Sequence, residues 1–350
     1  MDCCIIILMD NTKYNDKGLS GLINLGNTCF VNACMQILSH TYELNDFLNL
    51  QIYKKRLNNK HESILLIEWD NLREMLWKEN CVIEPSRFIN CIQKIAKLKG
   101  AEMFTGFSQN DLPEFLIFVI DCFHTALSRE VNMTIVGNAI NEKDELAIQC
   151  FEKIKGMYSK EYSEIWNMFY GVHVSQLKSS ETNEIISKTP EPYFMIDLPI
   201  PTDNKNVDLL DCFNLYVEGE MIEGVYNEKT EKRENVNKQI LFWSFPQILV
   251  IDLKRFNSKN RKNQVPVQFP IENLDLSPFT IGYKEKSYVY DLYGICNHSG
   301  SVLGGHYTSF IKNANGNWYH FDDNNVIKID ANNLITPKAY CLFYRKKTSL

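Results

Sequence analysis

Apolar residues recur at three- and four-residue intervals in the first half of this chain, and in alternating or unbroken runs in the second. From about residue 28 to 165 glycine and proline are sparse, and the spacing predicts helices. The clearest lies within 109–123, where Leu112, Phe115, Leu116, Val119, Ile120 and Phe123 form one apolar stripe. Asp111 followed by Glu114 predicts a capping box, and Pro113 suits a first helical turn. After about Met168 the texture changes: Pro190, Pro192, Pro199 and Pro201 appear among β-like runs. Residues 247–256 are apolar on both faces until Asp252, which predicts a buried central strand. A further strand is expected over 286–296, and an exposed loop or hairpin arm over the polar stretch 218–239. Residues 1–17 read as a tail, with Gly18 to Gly21 punctuating the start of the folded domain.

Chemistry concentrates at three places. Cys29 follows Gly26-Asn27-Thr28, where a loop becomes a helix running through Leu38. Thr28 or Asn27 can cap that helix, placing Cys29 in its first turn at the positive end of the dipole. A thiol attacks a carbonyl only as thiolate, and such a setting beside an imidazolium lowers its pKa. A buried core thiol is the ordinary alternative and suits the other ten cysteines. The Gly-Asn-Thr flank and a matched downstream segment set Cys29 apart.

That downstream segment reads as a β-hairpin: 306–312 alternates, 313–317 carries turn residues, and 317–321 alternates again. Folding about position 314 pairs residues whose numbers sum to 628, which opposes His306 to Asp322 with Cβ atoms about 5 Å apart. Asp322 would then orient His306 as the base, whereas a one-residue slip would favour Asp323. Cysteine, histidine and aspartate in this order read as a thiol-protease triad. An oxyanion needs donors, and the Asn24 side-chain amide and the Cys29 N–H are candidates; a loop-capping role for Asn24 is equally open. Gly304-Gly305 before the base allows positive φ and close approach of a substrate, as a narrow mobile channel or as a plain flexible turn.

Residues Gly21–Leu38 and Tyr293–Asp323 resemble the Cys box and His box of the ubiquitin-specific protease family. Gln109–Phe115, Phe245–Phe256 and Ala339–Tyr344 resemble three further segments of that family, and the likeness spans 18–346. It implies an α+β fold, the papain-like cysteine protease hand, with a helical thumb (about 18–165), β fingers (166–245) and a β palm (246–346). It implies a ubiquitinyl hydrolase of the cysteine peptidase type, cutting the peptide or isopeptide bond after the C-terminal glycine of ubiquitin. Cys29 would be the nucleophile, His306 the base, Asp322 the orienting acid and Asn24 the oxyanion donor, with Asp323 assisting. Gln109, Asp111, Gly304, Gly305 and Tyr307 would receive the ubiquitin tail, whose arginines and terminal diglycine suit an acid and a glycine-lined channel. The same chemistry on a ubiquitin-like modifier, or a catalytically silent ubiquitin-binding scaffold, are the alternatives. Many family members hold a structural zinc in the fingers through two Cys-x-x-Cys pairs. The corresponding positions here, near Ser180, Asn183, Asn227 and Thr230, are neither Cys nor His, so neither a metal nor a cofactor is expected.

Composition narrows the remaining choices. The chain has 350 residues, 45% hydrophobic, enough for one large domain or two smaller ones. A net charge of −6 without a long basic run argues against nucleic acid as a partner. The apolar run Cys3–Met9 is too short to span a membrane and lacks the basic start of a secretory signal, so no membrane partner is expected. Eleven irregularly spaced cysteines point to a reducing intracellular compartment, cytoplasmic and/or nuclear.

Overall fold

A computed structural model describes residues 11–202, 206–228, 230–283, 288–302 and 304–347; the Cys3–Met9 run lies outside them. Helices build the first half: α1 (Cys29–Ser39), α2 (Tyr42–Asn49), α3 (Glu62–Lys78), α4 (Ser86–Lys99), α5 (Leu112–Leu127), α6 (Glu142–Glu161) and α7 (Glu164–Phe169). Two short parallel strands, β1 (Gly21–Leu22) and β2 (Val82–Ile83), tie the loop before α1 to the loop before α4. Every residue of α1 is buried, because it lies between α5 on one side and the large sheet on the other. The stripe expected in 109–123 forms α5, which starts at Leu112 and runs to Leu127. Asp111 caps it by accepting from the Glu114 N–H at 3.3 Å, one arm of the expected capping box.

The expected tail is in part docked. In the stretch 11–17, Tyr14 is buried, stacks on Tyr42 at 4.5 Å and meets Trp77 edge-on. An aromatic ring that can cover two others has more to gain from packing than from solvent.

Two sheets follow. The finger sheet has the order β4-β3-β8-β7, from β3 (Gly171–Ser179), β4 (Ile185–Tyr193), β7 (Glu220–Asn227) and β8 (Lys232–Ser244). The polar stretch 218–239 is therefore a hairpin arm. Strand β5 (Met195–Pro199) leaves the segment assigned to the fingers and pairs parallel with β9 (Ile248–Lys254) in the palm. Two-residue strands β6 (Val207–Asp208) and β10 (Val267–Gln268) pair with each other, and α8 (Leu209–Glu218) begins with a complete capping box between Asp208 and Asp211. The thumb-to-palm progression along the chain is thus interrupted: the finger sheet takes 171–193 and 220–244, and the segment between them contributes to the palm.

The palm sheet runs β15-β14-β13-β12-β16-β9-β5, with β11 (Leu274–Asp275) on β12. Its strands are β12 (Val289–Ser301), β13 (Gly304–Lys312), β14 (Trp318–Asp322), β15 (Asn325–Ile329) and β16 (Ala339–Lys346). Successive residues of β9 serve two cores. Ile248 and Val250 face the helices, while Leu249, Ile251 and Leu253 face α8, so the strand is apolar without alternation.

At the finger tips, Ser180 and Asn183 fall in the β3–β4 turn, Asn227 ends β7 and Thr230 lies in the β7–β8 turn. The Glu234 carboxylate accepts hydrogen bonds there from Ser179, Asn227 and Thr230, which hold it below its ordinary pKa.

Candidate functional site

The Cys29 loop and the hairpin that carries His306 meet at the seam between thumb and palm. Cys29 is the first residue of α1, and its thiol is buried. Neither expected side chain caps the helix: Thr28 makes no capping bond, and its hydroxyl instead accepts from the Leu25 N–H at 3.0 Å. The loop is shaped by Asn24, whose Oδ1 accepts from the N–H groups of Gly26 and Thr28 at 3.0 and 3.1 Å, and by positive φ at Gly26 and Asn27.

The hairpin is shifted by two residues from the expected register. Ser309 pairs with Phe321 and Lys312 with Trp318, so paired numbers sum to 630. The turn centres on Asn315: Asn313 and Asn317 close it, Gly316 has φ of +83°, and asparagine side chains accept from the N–H groups of Asn315 and Asn317. Glycine supplies the left-handed residue that this turn needs. Asp322 thus stands diagonally across from His306 and still shares its face, and Oδ1 lies 2.7 Å from His306 Nε2. Nδ1 is left to exchange a proton with a nucleophile. Cys29 lies at the adjacent residue of β13, its sulfur accepting from the Tyr307 N–H.

Asp323 has another role. It occupies the two-residue turn between β14 and β15 with φ of +50°. Its carboxylate accepts from Asn24 Nδ2 at 2.9 Å and from Asn32 Nδ2 at 2.8 Å, and its carbonyl accepts from the Leu22 N–H at 2.9 Å. A Cβ at Gly21 would overlap the Asn324 backbone, so this approach requires glycine. The turn that carries Asp322 is thereby clamped to the loop that carries Cys29. Asn32 went unnoticed in the sequence. It is three residues after Cys29 on the same helix and therefore on the same face, a signal that was available. His306, Asp322 and Asp323 offer ligand atoms within 4.8 Å of one another. The His306–Asp322 contact is a direct hydrogen bond and both oxygens of Asp323 are taken by amides, so the trio fits a triad better than an ion site.

Burial pushes the Cys29 thiol up from its ordinary value, and the nearby Asp323 carboxylate pushes it the same way. The N–H groups of Tyr307, Phe30 and Cys29 pull it down without prevailing. The lowered pKa expected at a helix N-terminus is therefore not found in the resting chain, because desolvation of a buried thiolate outweighs the dipole.

A cleft of about 430 Å³ runs up to Cys29 and is lined by Gln109, Asp111, Gly304, Gly305 and Tyr307, with His298 and Tyr340. Asn24, His306, Asp322 and Asp323 are not part of its wall and neighbour one another beside it. Gln109 Oε1 accepts from the Gly305 N–H at 2.7 Å, a bridge from thumb to palm across the cleft. A Cβ on Gly305 would overlap His298 Nε2 and come within 2.6 Å of the Ser299 carbonyl oxygen. Asp111 Oδ2 accepts from Tyr340 at 2.9 Å and Tyr307 at 3.3 Å while Oδ1 caps α5. Its carboxylate is thus a strut between thumb and palm as well as part of the lining. His298 is held low, at about 4, by burial and by Lys262, which makes it a poor base beside His306.

The pattern of the ubiquitin carboxyl-terminal hydrolase family matches residues 20–344. The chain belongs to this family. It is 35% identical over 350 residues to ubiquitin carboxyl-terminal hydrolase 2 of Homo sapiens, covering 94% of this chain and 55% of that protein. It is 32% identical over 362 residues to ubiquitin carboxyl-terminal hydrolase 21 of Homo sapiens, covering 96% of this chain and 63% of that one. The chain thus spans little more than half the length of the hydrolase 2 relatives it matches. The SAGA Ubp8/Sgf11/Sus1/Sgf73 DUB module bound to ubiquitin aldehyde has a similar fold, with a TM-score of 0.72 at 22% identity, over 98% of this chain and 72% of that one. The fold is accordingly the α+β hand of this hydrolase family, with the cleft between helical thumb and β palm.

Proposed function

We propose that this chain is a cysteine-type ubiquitinyl hydrolase that cuts the bond after the C-terminal glycine of ubiquitin. The observation that carries this is the seam at β13: His306 is held through Nε2 by Asp322, and the next residue's N–H reaches the Cys29 sulfur at the end of a glycine-walled cleft. Cys29 gives its proton to His306 Nδ1 and attacks the glycine carbonyl. The developing oxyanion takes donors from the Cys29 N–H and the second N–H of the Asn24 amide, whose first is bonded to Asp323. The leaving amine departs with the proton from His306, and water hydrolyses the thioester in the reverse order. Gln109, Asp111, Gly304, Gly305 and Tyr307 receive the slim tail.

The names of the relatives, and the ubiquitin aldehyde in the DUB module, support ubiquitin as the modifier. All nine described cysteines are unpaired, which supports a reducing intracellular setting, and imaging of a tagged chain checks it. No described helix is long and apolar enough to cross a membrane. The test is cleavage of a ubiquitin C-terminal fluorogenic substrate by wild type and by Cys29→Ala, beside a panel of ubiquitin-like modifiers. Equal background rates in the two proteins would favour the silent scaffold, and a preference for another modifier would change the substrate.

A further inference from the structure

Behind the wall of the substrate cleft, residues from 254–265 and from 199–202 line a second cavity of about 430 Å³ that shares Phe256 and Asn257 with the cleft. Four of its lining side chains are cations, Lys254, Arg255, Arg261 and Lys262, and among the described residues no carboxylate lines it. Among the described residues, none of the four makes an ion pair. Arg255 is only 1% exposed. Its Nε donates to the Ala339 carbonyl at 2.5 Å, and Nη1 donates to the carbonyls of Asn263 and Val265 at 3.1 and 2.9 Å. Nη2 has no acceptor among the described residues. A buried guanidinium N–H without a partner is unfavourable unless something else supplies an oxygen. Asp252, the acid nearest in effect, is itself pushed up by burial to about 8 and carries little charge at neutral pH.

A concave wall of one sign concentrates counter-ions, and a planar guanidinium fork flanked by ammonium groups matches phosphoryl oxygens. We propose that this cavity binds a compact phosphoryl anion and, through Lys262, regulates the substrate cleft. Lys262 Nζ donates to the His298 carbonyl at 2.6 Å and lies 3.1 Å from His298 Nδ1. His298 in turn backs Gly305 and packs on Tyr307 at 4.6 Å between ring centroids. An anion that draws Lys262 into the cavity removes the support of His298, so the wall that receives the diglycine tail loosens.

The regulatory half rests on the hydrolase reading, and the binding half does not. Pyrophosphate is titrated at constant ionic strength against chloride, with wild type and Lys254→Ala/Arg261→Ala compared; neither residue lines the cleft. The expected result is a saturable rise in Tm of a few degrees. It is accompanied by an at least twofold rise in KM for the ubiquitin fluorogenic substrate at the same half-saturating concentration. Both effects vanish in the double variant, whose rate without pyrophosphate matches wild type. No saturable rise above chloride, or a rise that survives the double substitution, overturns the site. Binding without a change in KM overturns the coupling. An enzyme with no cleavage activity at all, but with the Tm effect intact, would strike the hydrolase reading and leave the site standing.

Discussion

Asp322→Asn is the perturbation that most directly separates the proposed triad from its neighbours. Asp322 Oδ1 lies 2.7 Å from His306 Nε2, and the two side chains are 41% and 44% exposed. When His306 holds the thiol proton, the pair is ionic. At this separation the attraction is about 1.5 kcal/mol in bulk water and about 6 kcal/mol at an effective dielectric of 20. The exposures place the pair near the watery limit, so about 2 kcal/mol is a reasonable worth, or roughly 30-fold in kcat. The Asn amide can also turn its NH2 toward Nε2 and fix the wrong tautomer, which deepens the loss. Steady-state cleavage of a ubiquitin fluorogenic substrate should show kcat down at least about 30-fold with KM held, while Tm moves little because so exposed a pair adds little to stability. Asp323→Asn, which keeps an oxygen for one of the two asparagine amides, should be the milder change. Retention of more than a third of wild-type kcat by Asp322→Asn, or greater damage from Asp323→Asn, would refute the assignment.

Three further outcomes follow from the packing and the titrations. Gly305→Ala should raise KM at least tenfold because its Cβ overlaps His298 and the Ser299 backbone, whereas Gly304→Ala meets only the side-chain end of Gln109 at 2.5 Å, which can swing aside at the cost of its bond to Gly305, and should be milder; KM values for the pair decide. Burial raises the Asp252 carboxyl to about 8, so the folded chain binds a proton that the unfolded chain has released above about pH 4. Stability from this group therefore falls between about pH 4 and 8, and Asp252→Asn should raise Tm at pH 8 more than at pH 4 in melting scans. Because Cys29 sits above its ordinary value of 9.0, its alkylation by iodoacetamide should still climb at pH 9; a plateau below pH 7 in mapped adducts would contradict the raised thiol.

The sequence announced local chemistry well and long-range partnership poorly. The stripe of α5 and the unbroken apolar run of β9 are written in adjacent residues, and both elements formed. The docking of Tyr14 on Tyr42 and Trp77 depends on chain folding that no window of 11–18 residues contains. The same holds for β5, a short strand whose proline-rich neighbourhood resembled the fingers until its pairing with β9 placed it in the palm. The raised thiol pKa has a related origin. The helix dipole is a local property of Thr28-Cys29-Phe30, but burial and the Asp323 charge arrive from α5 and from a turn nearly three hundred residues away.

The hairpin shows why one wrong register still led to the right partner. Side chains on a strand alternate with period two, so a slip by two residues leaves every side chain on its original face, and a slip by one reverses them all. The turn centres on Asn315 rather than Ala314, which moves the sum of paired numbers from 628 to 630. His306 and Asp322 therefore change from directly opposed to diagonal neighbours, about 7–8 Å apart at the backbone, which a histidine and an aspartate together can span. Asp323 was the rival only under an odd slip. Its carboxylate lies close to the His306–Asp322 pair but is taken up by the Cys29 loop, through Asn24 and Asn32. The two adjacent aspartates thus divide the work by their partners: in the proposed mechanism Asp322 orients the base, and Asp323, in the turn, fixes the loop that presents the nucleophile.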